Sequence, residues 1–473
     1  MDDKKEKLLS HFLNVGTGNL ISAFLGFITM PIITRLFMPE EYGIYSLFYL
    51  YGNMAMIILC LGMDQSLVRY YYDQSTKEYK VGLLRQCIKL PLCVTLVLAL
   101  IYFANAILGV VPKGGDLLLS VLLAGYVLLL LLNRFALVLL RLEKKSRLYG
   151  AINVLQKLID IGVIFSILFV IKKNNAEVLC LGIITAVFFS SLFSVLGNKE
   201  LWVYKGHVIS EHSTSELMKY AYPYIITLGL TSLFQALDRM AISHFCDYHD
   251  VGVYSSAVSL LRILGIIQTS FTTIWMPNAI DRYKKNPKDL SYFSKVCQIV
   301  TVIMFVLGAS FVLFKDLFIL LLGKEYREAV TILPFLAMEP IMYTISETTV
   351  VGIVFSEKSK LQILAPGFAC MFNVFGNLIL VSRYGAIGAA ISTGLSYVLF
   401  MVIRTILSNK CMDINFKMNK ILIITLAFLL YASYSSTNTF SVISVVGYII
   451  LVLLIAFCYR EIISEFVARK LEF

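Results

Sequence analysis

Long apolar runs separated by short polar segments dominate the chain. A transmembrane helix needs about 20 residues to cross the ~30 Å hydrocarbon core of a bilayer, and fourteen runs reach or approach that length. The predicted helices cover 11–33, 42–62, 88–109, 117–140, 150–171, 178–197, 220–243, 251–275, 292–314, 329–354, 361–381, 386–408, 420–435 and 440–458. The pattern predicts an all-α, polytopic membrane protein with about fourteen transmembrane helices and no folded extramembrane domain.

The composition agrees with this interpretation. Hydrophobic residues make up 58% of the chain and charged residues 15%, whereas soluble domains carry about 25% charged residues. This difference excludes a soluble enzyme, a disordered chain and a compact nucleic-acid-binding protein. Nine cysteines form no CxxC pair and five histidines form no cluster with metal-ligand spacing, so we predict no metal site.

The positions of Lys and Arg predict the orientation. Of the 41 Lys and Arg residues, 27 lie at the two termini and in every second loop, if Lys295 and Lys420 at the ends of the following helices are counted with those loops, and 8 lie in the remaining loops. Cytoplasmic loops of membrane proteins carry an excess of Lys and Arg. We therefore predict that both termini are cytoplasmic, that the number of spans is even, and that the net charge of +11 reflects topology and not a nucleic-acid partner.

A weak internal repeat predicts two lobes. Segments 41–46 (EYGIYS) and 250–255 (DVGVYS) open the second and eighth predicted helices and run in the same direction across the membrane. Such placement is typical of parallel repeats related by an axis along the membrane normal. We predict two six-helix lobes, followed by two extra transmembrane helices and a cytoplasmic tail, with boundaries at 1–205, 206–410 and 411–473.

Polar stripes on two predicted helices indicate a water-filled lumen. Helix seven carries Thr227, Thr231, Gln235 and Asp238 on one face, followed by Arg239. Helix eight carries Ser259 and Arg262 on one stripe, with Arg262 near its middle. A charge at the bilayer centre costs about 2.5–3.5 kcal/mol, so Arg262 is expected to face a cavity or a partner. For the Ser and Thr residues, hydrogen bonding between helices is the alternative.

Other intramembrane charges leave alternatives open. Lys157 and Asp160 lie three residues apart in helix five, where they form either an internal ion pair or a substrate or proton site. Arg134 and Arg404 lie nearer the inner ends of their helices, so their side chains are expected to extend to the cytoplasmic surface.

Two glutamates of helix ten are candidates for ion coupling. Glu339 lies beside Pro340, which removes a backbone donor and is expected to kink or break the helix. This residue, or Glu347 on the same helix, could bind H⁺ or Na⁺; a packed structural kink is the alternative. Asn373 and Asn377 of helix eleven are expected to bond a neighbouring helix. No phosphate-binding loop is present, so ATP hydrolysis by the chain is not predicted.

Five segments carry a resemblance to a known family. They are 31–47 (PIITRLFMPEEYGIYSL), 62–71 (GMDQSLVRYY), 237–240 (LDRM) with 251–255 (VGVYS), 321–329 (LLGKEYREA) and 385–390 (GAIGAA). In this order and topology the chain resembles bacterial polysaccharide repeat-unit flippases of the multidrug/oligosaccharidyl-lipid/polysaccharide exporter superfamily. The resemblance covers nearly the whole chain.

The resemblance implies a transport function in the bacterial cytoplasmic membrane. It implies two lobes that rock around a central lumen and move a polyprenyl-diphosphate-linked oligosaccharide to the outer leaflet, for O-antigen, capsule or exopolysaccharide assembly. It also implies that the extra helices help to form a lipid groove. The expected partners are the lipid-linked oligosaccharide and membrane lipid, with a polysaccharide polymerase as a further candidate, and the chain is expected to act as a monomer.

Candidate site residues follow from the charge of this cargo. Cations attract an anionic diphosphate, and the candidates are Arg262, Arg239, Arg134, Lys157 and Arg404. Candidate lumen residues are Thr227, Thr231, Gln235 and Ser259, and candidates for coupling to a H⁺ or Na⁺ gradient are Asp238, Glu339, Glu347 and Asp160. No catalytic residue or cofactor is predicted.

Three alternatives remain. A drug exporter of the same superfamily would favour acidic and aromatic sites without arginines in the lumen. A membrane-embedded sugar or acyl transferase would need a carboxylate or histidine cluster at a membrane face, which the sequence lacks. Related peptidoglycan-precursor flippases place arginines in the first helix, where this chain has Asn14, Asn19 and Ser22, so that cargo is disfavoured.

Overall fold

The computed structural model describes residues 21–22, 24–107, 117–208 and 211–467. Within these ranges every regular element is a helix, so the predicted all-α fold is confirmed. The start of the predicted first helix, with Asn14 and Asn19, lies outside the described residues.

The helices follow one another with short connections. In chain order they are α1 Phe24–Leu36, α2 Pro39–Leu59, α3 Met63–Tyr70, α4 Lys77–Ile107, α5 Leu117–Leu142, α6 Ser146–Ile171, α7 Ala176–Gly197, α8 Lys199–Trp202, α9 Thr214–Phe245, α10 Tyr248–Leu260, α11 Arg262–Lys285, α12 Leu290–Leu313, α13 Lys315–Ile319, α14 Leu333–Leu336, α15 Met338–Thr349, α16 Val351–Phe355, α17 Leu364–Cys411, α18 Met418–Thr437, α19 Val442–Cys458 and α20 Arg460–Val467. Two 3₁₀ segments cover Lys324–Thr331 and Ser359–Ile363.

The described residues contain multiple membrane-spanning helices but do not confirm the count of fourteen. Nine of their helices are long and apolar enough to cross a membrane, or up to eleven if each of two bent pairs is one span. The predicted eleventh and twelfth helices are merged in α17, which turns at Gly385 with φ of +57°, a conformation that favours glycine. Within the described residues, the apolar segment Phe24–Leu36 and α19 each cover fewer than the eighteen residues of a full candidate span.

The prediction of one continuous eighth helix is wrong. Helices α10 and α11 meet at Leu261 with a bend of 47°. Helix α10 packs against the 3₁₀ segment Lys324–Thr331 and α17, whereas α11 packs against α15 and α16. The two halves of the predicted helix therefore pack against different neighbours. As a result Ser259 is buried while Arg262 is exposed. The two residues therefore do not share one polar stripe as predicted.

The bend in this region lies before α14 and not at Pro340, where the sequence predicted a kink or break. Helices α14 and α15 are separated at Ala337, and the segment that contains them is bent by 56° from the 3₁₀ segment before it. Pro340 then falls in the first turn of α15, where backbone N–H groups have no partner within the helix and a proline removes no helical hydrogen bond.

Contacts divide the chain into two compact units. The first contains 44–236 with the described residues before Met30, and the second contains Met30–Gly43 and the chain from Leu237 onward. The division falls within α9. The lobes predicted at 1–205, 206–410 and 411–473 stay a prediction.

Two glycines of the repeated segments approach each other's backbone within the second unit. A Cβ atom on Gly43 would lie 1.9 Å from the carbonyl oxygen of Tyr248, and one on Gly252 would lie 1.9 Å from the carbonyl oxygen of Pro39. The same offset of 209 residues relates Gly43 to Gly252 and Pro39 to Tyr248. The contact is therefore reciprocal, as at an interface between two copies related by a two-fold axis. The interpretation of these segments as parts of two repeated lobes stays a prediction.

We predict that Gly43→Ala and Gly252→Ala each destabilise the protein by about 1–3 kcal/mol, because the added methyl group cannot fit without moving the backbone. Thermal unfolding of the purified protein measures the effect as a lower midpoint. Gly265→Ala in α11 is the control, since nothing lies within 4 Å of its Cβ position and alanine favours a helix. Equal midpoints for Gly252→Ala and Gly265→Ala would contradict the close approach.

Candidate functional site

The first intramembrane charge pair joins α3 to α5. Arg134 donates from Nε at 2.9 Å and from Nη2 at 2.7 Å to Oδ2 of Asp64, which also accepts from Gln65 at 2.9 Å. The Asp64 side chain is 3% exposed and the Arg134 side chain 38%. The buried carboxylate holds the guanidinium of the partly exposed Arg134, and the extension of this side chain to the cytoplasmic surface stays a prediction.

Lys157 and Asp160 form the internal ion pair that was one of the two alternatives. Their Nζ and Oδ2 atoms are 2.7 Å apart, and the aspartate side chain is 2% exposed. A Cβ atom on Gly182 of α7 would lie 3.0 Å from the other carboxylate oxygen, so the small residue lets α7 pack directly over the pair. This oxygen has no hydrogen-bond partner among the described residues.

A third pair joins α15 to α17. Arg404 donates to Glu347 at 2.6 Å and to the Ser346 hydroxyl at 3.0 Å, and its guanidinium lies 5.2 Å from the centre of the Phe400 ring. The two charged side chains are 13% and 10% exposed. Arg404 is therefore buried against its partner and does not reach the cytoplasmic surface as expected.

These pairs separate the five candidate cations into two classes. Arg134, Lys157 and Arg404 each hold a carboxylate. Arg262 is exposed and Arg239 is partly buried, and neither lies within 4 Å of a carboxylate oxygen of the described chain. The buried Nε atom of Arg239 also has no hydrogen-bond partner there.

Asp238 is the centre of a buried polar cluster in the second unit. Its Oδ2 atom accepts from Tyr254 at 2.5 Å and Thr393 at 2.6 Å, and its Oδ1 atom accepts from Asn373 at 3.2 Å and Asn377 at 2.9 Å. The aspartate is 7% exposed. The sequence predicted that the two asparagines bond a neighbouring helix, but it gave no signal that their shared partner is Asp238.

This cluster is rich in oxygen atoms, and no cation of the described residues is in direct contact with its carboxylate. No Lys or Arg nitrogen of the described residues lies within 4 Å of the Asp238 carboxylate, and the buried Oδ1 atom of Asn377 has no partner among them. Carboxylate, hydroxyl and amide oxygens are the ligands that hard cations prefer. The cluster therefore offers oxygen atoms of the kind that bind a small cation.

The remaining candidate carboxylates are differently placed. Glu347 and Asp160 are held by cations, as described above. Glu339 accepts a hydrogen bond from the Tyr397 hydroxyl at 3.2 Å. Of the four ion-coupling candidates, Asp238 and Glu339 thus have no basic partner within 4 Å in the described part of the chain.

Three of the four candidate lumen residues are exposed. Thr227, Thr231 and Gln235 lie on the surface of α9, and the two hydroxyls bond backbone carbonyls one turn earlier in the same helix. Ser259 is 6% exposed, bonds the carbonyl of Ser255 at 3.0 Å and lies 3.5 Å from the Tyr42 hydroxyl. Its surroundings match the alternative of hydrogen bonding between helices.

A cluster that the sequence did not predict lies where α10 begins. Oxygen and nitrogen atoms of Asp247, His249 and Asp250 lie within 4.8 Å of one another. Asp247 accepts a hydrogen bond from the backbone of Asp250 at 2.9 Å, which is the usual role of an N-terminal cap. The capping bond explains the position of this carboxylate without a metal ion.

Known proteins resemble the chain over most of its length. The family model for a polysaccharide biosynthesis protein matches residues 8–281. The capsular polysaccharide biosynthesis protein CapF of Staphylococcus aureus is 22% identical over 406 residues, which cover 82% of this chain and 96% of CapF.

Solved structures share the fold. The lipid II flippase MurJ in an inward closed conformation is 15% identical, with a TM-score of 0.68 over 95% of this chain and 99% of MurJ. An inward-facing multidrug resistance transporter of the MATE family, in the MOP superfamily, is 16% identical, with a TM-score of 0.55 over 82% and 94% of the two chains. These structures are of a flippase and a transporter and not of enzymes.

Proposed function

Since the chain belongs to the polysaccharide biosynthesis protein family, we propose that it flips polyprenyl-diphosphate-linked oligosaccharide repeat units across the bacterial cytoplasmic membrane. The names of its relatives support both parts of the proposal. CapF is a capsular polysaccharide biosynthesis protein, and the structurally similar MurJ is a lipid II flippase. The cargo is a polymer precursor for O-antigen, capsule or another exopolysaccharide, and its flipping precedes polymerisation.

The exposed guanidinium of Arg262 is the observation that carries the proposal. It lies at the first residue of α11, directly after the bend that separates this helix from α10. No carboxylate of the described residues neutralises it, so it remains available to an anionic ligand. Arginine pairs well with phosphate oxygens, whereas a pump for cationic drugs would place a carboxylate at such a position.

We further propose the orientation and the oligomeric state. The distribution of Lys and Arg supports two cytoplasmic termini, so that the cargo enters from the cytoplasmic side and leaves on the outer side by alternating access. One chain contains both repeated segments, which supports a monomer as the transporting species.

We predict that Arg262→Ala abolishes polysaccharide export while the protein still reaches the membrane, because the cargo diphosphate loses its unpaired cation. Arg262→Lys should retain part of the activity, since it keeps the charge but loses the planar fork of the guanidinium. Export is measured in cells that lack the native gene, with membrane levels determined by immunoblotting.

Arg383→Ala is the matched control, because it removes another exposed arginine of the second unit and should leave export unchanged. If Arg262→Ala cells export polysaccharide at the wild-type rate, Arg262 does not bind the cargo.

We also propose that the Asp238 cluster couples transport to an ion gradient. Its carboxylate is buried, is held by neutral donors and has no basic partner within 4 Å in the described chain. Binding of Na⁺ or H⁺ would neutralise the charge and change the bonds that join α9, α10 and α17. An ion can drive a conformational change only if it interacts differently with the two states, and the bonds from three helices to one carboxylate provide such a difference.

We predict that Asp238→Asn removes the part of transport that responds to an imposed Na⁺ or H⁺ gradient, because the amide keeps the size of the side chain but not its charge. Transport into proteoliposomes is compared with and without each gradient. Glu325→Gln is the control and should retain the gradient response, because it removes an exposed carboxylate of the second unit. Glu339→Gln tests the other candidate carboxylate that has no basic partner. A normal response in Asp238→Asn, or its loss only in Glu339→Gln, would refute the assignment.

A further inference from the structure

Three tyrosine rings form a continuous surface in the first unit, which we call the tyrosine platform. The ring centres of Tyr70 and Tyr220 are 5.7 Å apart in an edge-to-face arrangement, and those of Tyr220 and Tyr224 are 5.6 Å apart. The hydroxyls of Tyr220 and Tyr224 are 3.4 Å apart. Tyr224 is 37% exposed, and Arg69, with its guanidinium 5.4 Å from the Tyr70 ring centre, lies at the edge of the platform.

Close packing of α3 against α9 positions the platform. Ser66 donates to the carbonyl of Leu217 at 2.7 Å. Gly62 has φ of +64°, and a Cβ atom there would lie 2.7 Å from the carbonyl oxygen of Ala221. Because residues 217, 220, 221 and 224 share one stripe of a helix, the same packing places Tyr220 and Tyr224 beside α3.

Contacts with His212 and Tyr79 hold Tyr70 in place. The ring of His212 lies 4.4 Å from the Tyr70 ring. Its Nε2 atom is 3.1 Å from the Tyr79 hydroxyl, and its Nδ1 atom is 3.1 Å from Glu216. Tyr79 also donates to the carbonyl of Tyr70 at 2.9 Å. Both the ring and the backbone of Tyr70 are thus fixed.

The end of α3 is also anchored to the turn between α5 and α6. Tyr71 and Lys80 bond Glu143 at 2.5 and 2.8 Å, and Tyr72 donates to the carbonyl of Leu142 at 2.7 Å. Burial opposes ionisation of Glu143, but the bonds from Lys80 and Tyr71 outweigh it and hold the pKa of this carboxyl below its usual value. These contacts hold the end of α3, and with it Tyr70 of the tyrosine platform, against the turn between α5 and α6.

The geometry points to a carbohydrate subsite: we propose that the tyrosine platform binds sugar rings of the lipid-linked cargo during loading. A sugar ring has one face of C–H groups, which suits the negative face of an aromatic ring, and its hydroxyls suit the phenolic hydroxyls and Arg69. The platform follows the predicted cytoplasmic end of α2, where the cargo enters under the proposed function. This inference rests on that function and assigns to it a site for the sugar, distinct from Arg262.

Membrane anchoring is the competing explanation for exposed tyrosines, because Tyr is enriched at membrane interfaces. Tyr222 is the natural comparison, since it lies on the same helix with 60% exposure and outside the platform. An anchoring role predicts that Tyr222 and Tyr224 behave alike. A sugar-binding role predicts that only Tyr224 responds to the presence of sugar on the lipid.

The test compares binding of two probes to the full-length protein in lipid nanodiscs. One probe is the lipid-linked oligosaccharide fraction from membranes of the native cells, and the other is polyprenyl diphosphate of the same chain length without sugar. We expect the wild-type protein to bind the first probe more tightly. Tyr224→Leu should weaken that binding about fivefold, the size of one aromatic contact, and leave binding of the second probe unchanged.

Tyr224→Phe keeps the ring but loses the hydroxyl, so it should bind the first probe more tightly than Tyr224→Leu and less tightly than the wild type. Tyr222→Leu should bind both probes as the wild type does. The inference is overturned if the wild type binds both probes equally, if Tyr224→Leu binds the first probe normally, or if it loses both probes alike. Binding of neither probe by the wild-type protein would instead contradict the proposed function, and this assignment with it.

Discussion

Charge buried in an apolar helical bundle has to be paired, and this constraint organises both units. Desolvation of an unpaired ion costs several kcal/mol, and each of three intramembrane cations bonds a carboxylate on its own or a packed helix. Loss of one partner from such a pair costs about 3–5 kcal/mol because the other charge stays buried. The ion pairs therefore stabilise the helix packing, whether or not they also take part in transport. They are Arg134–Asp64, Lys157–Asp160 and Arg404–Glu347.

The same constraint leaves Arg262 and Asp238 as the candidates for the proposed binding of cargo and ion. A cation that the scaffold already uses has less attraction left for a diphosphate, whereas the exposed Arg262 can offer its whole charge. Asp238 is the corresponding case among the acids, since it is buried with hydrogen-bond donors but no cationic partner within 4 Å among the described residues. Unbalanced charge of this kind in a membrane protein is a mark of substrate or ion binding.

The positions of Arg262 and of the repeated segments depend on where helices bend or begin. The bend at Leu261 separates a buried half, packed on α17, from an exposed half that begins with Arg262. The reciprocal contact of Gly43 and Gly252 brings the two repeated segments together at the points where α2 and α10 begin. Glycine at both positions allows backbone contact, and a rearrangement that separates the segments would not have to disengage interlocked side chains.

The sequence predicted the helices better than the contacts between them. Length and hydropathy define most helices, because these properties are local. Pro340, by contrast, lies in the first turn of α15, and the bend of this region comes before α14. The bend at Leu261 has no proline, and its cause is the different packing of α10 and α11, which a hydrophobic pattern does not report. Likewise Asp64 and Arg134 are far apart in the chain, so their pairing arises from tertiary packing. Only Lys157 and Asp160, one helical turn apart, could be paired from spacing alone.

The central claim is that this chain moves a lipid-linked oligosaccharide across a bilayer, and transbilayer movement by the purified protein tests it most directly. Proteoliposomes containing the native lipid-linked oligosaccharide fraction are treated with a membrane-impermeant oxidant of sugar diols, and protein-free liposomes provide the baseline. We expect the protein to make the inner-leaflet pool accessible to the oxidant. An accessible pool no larger than in protein-free liposomes, with protein that still shows a cooperative unfolding transition, would contradict this claim.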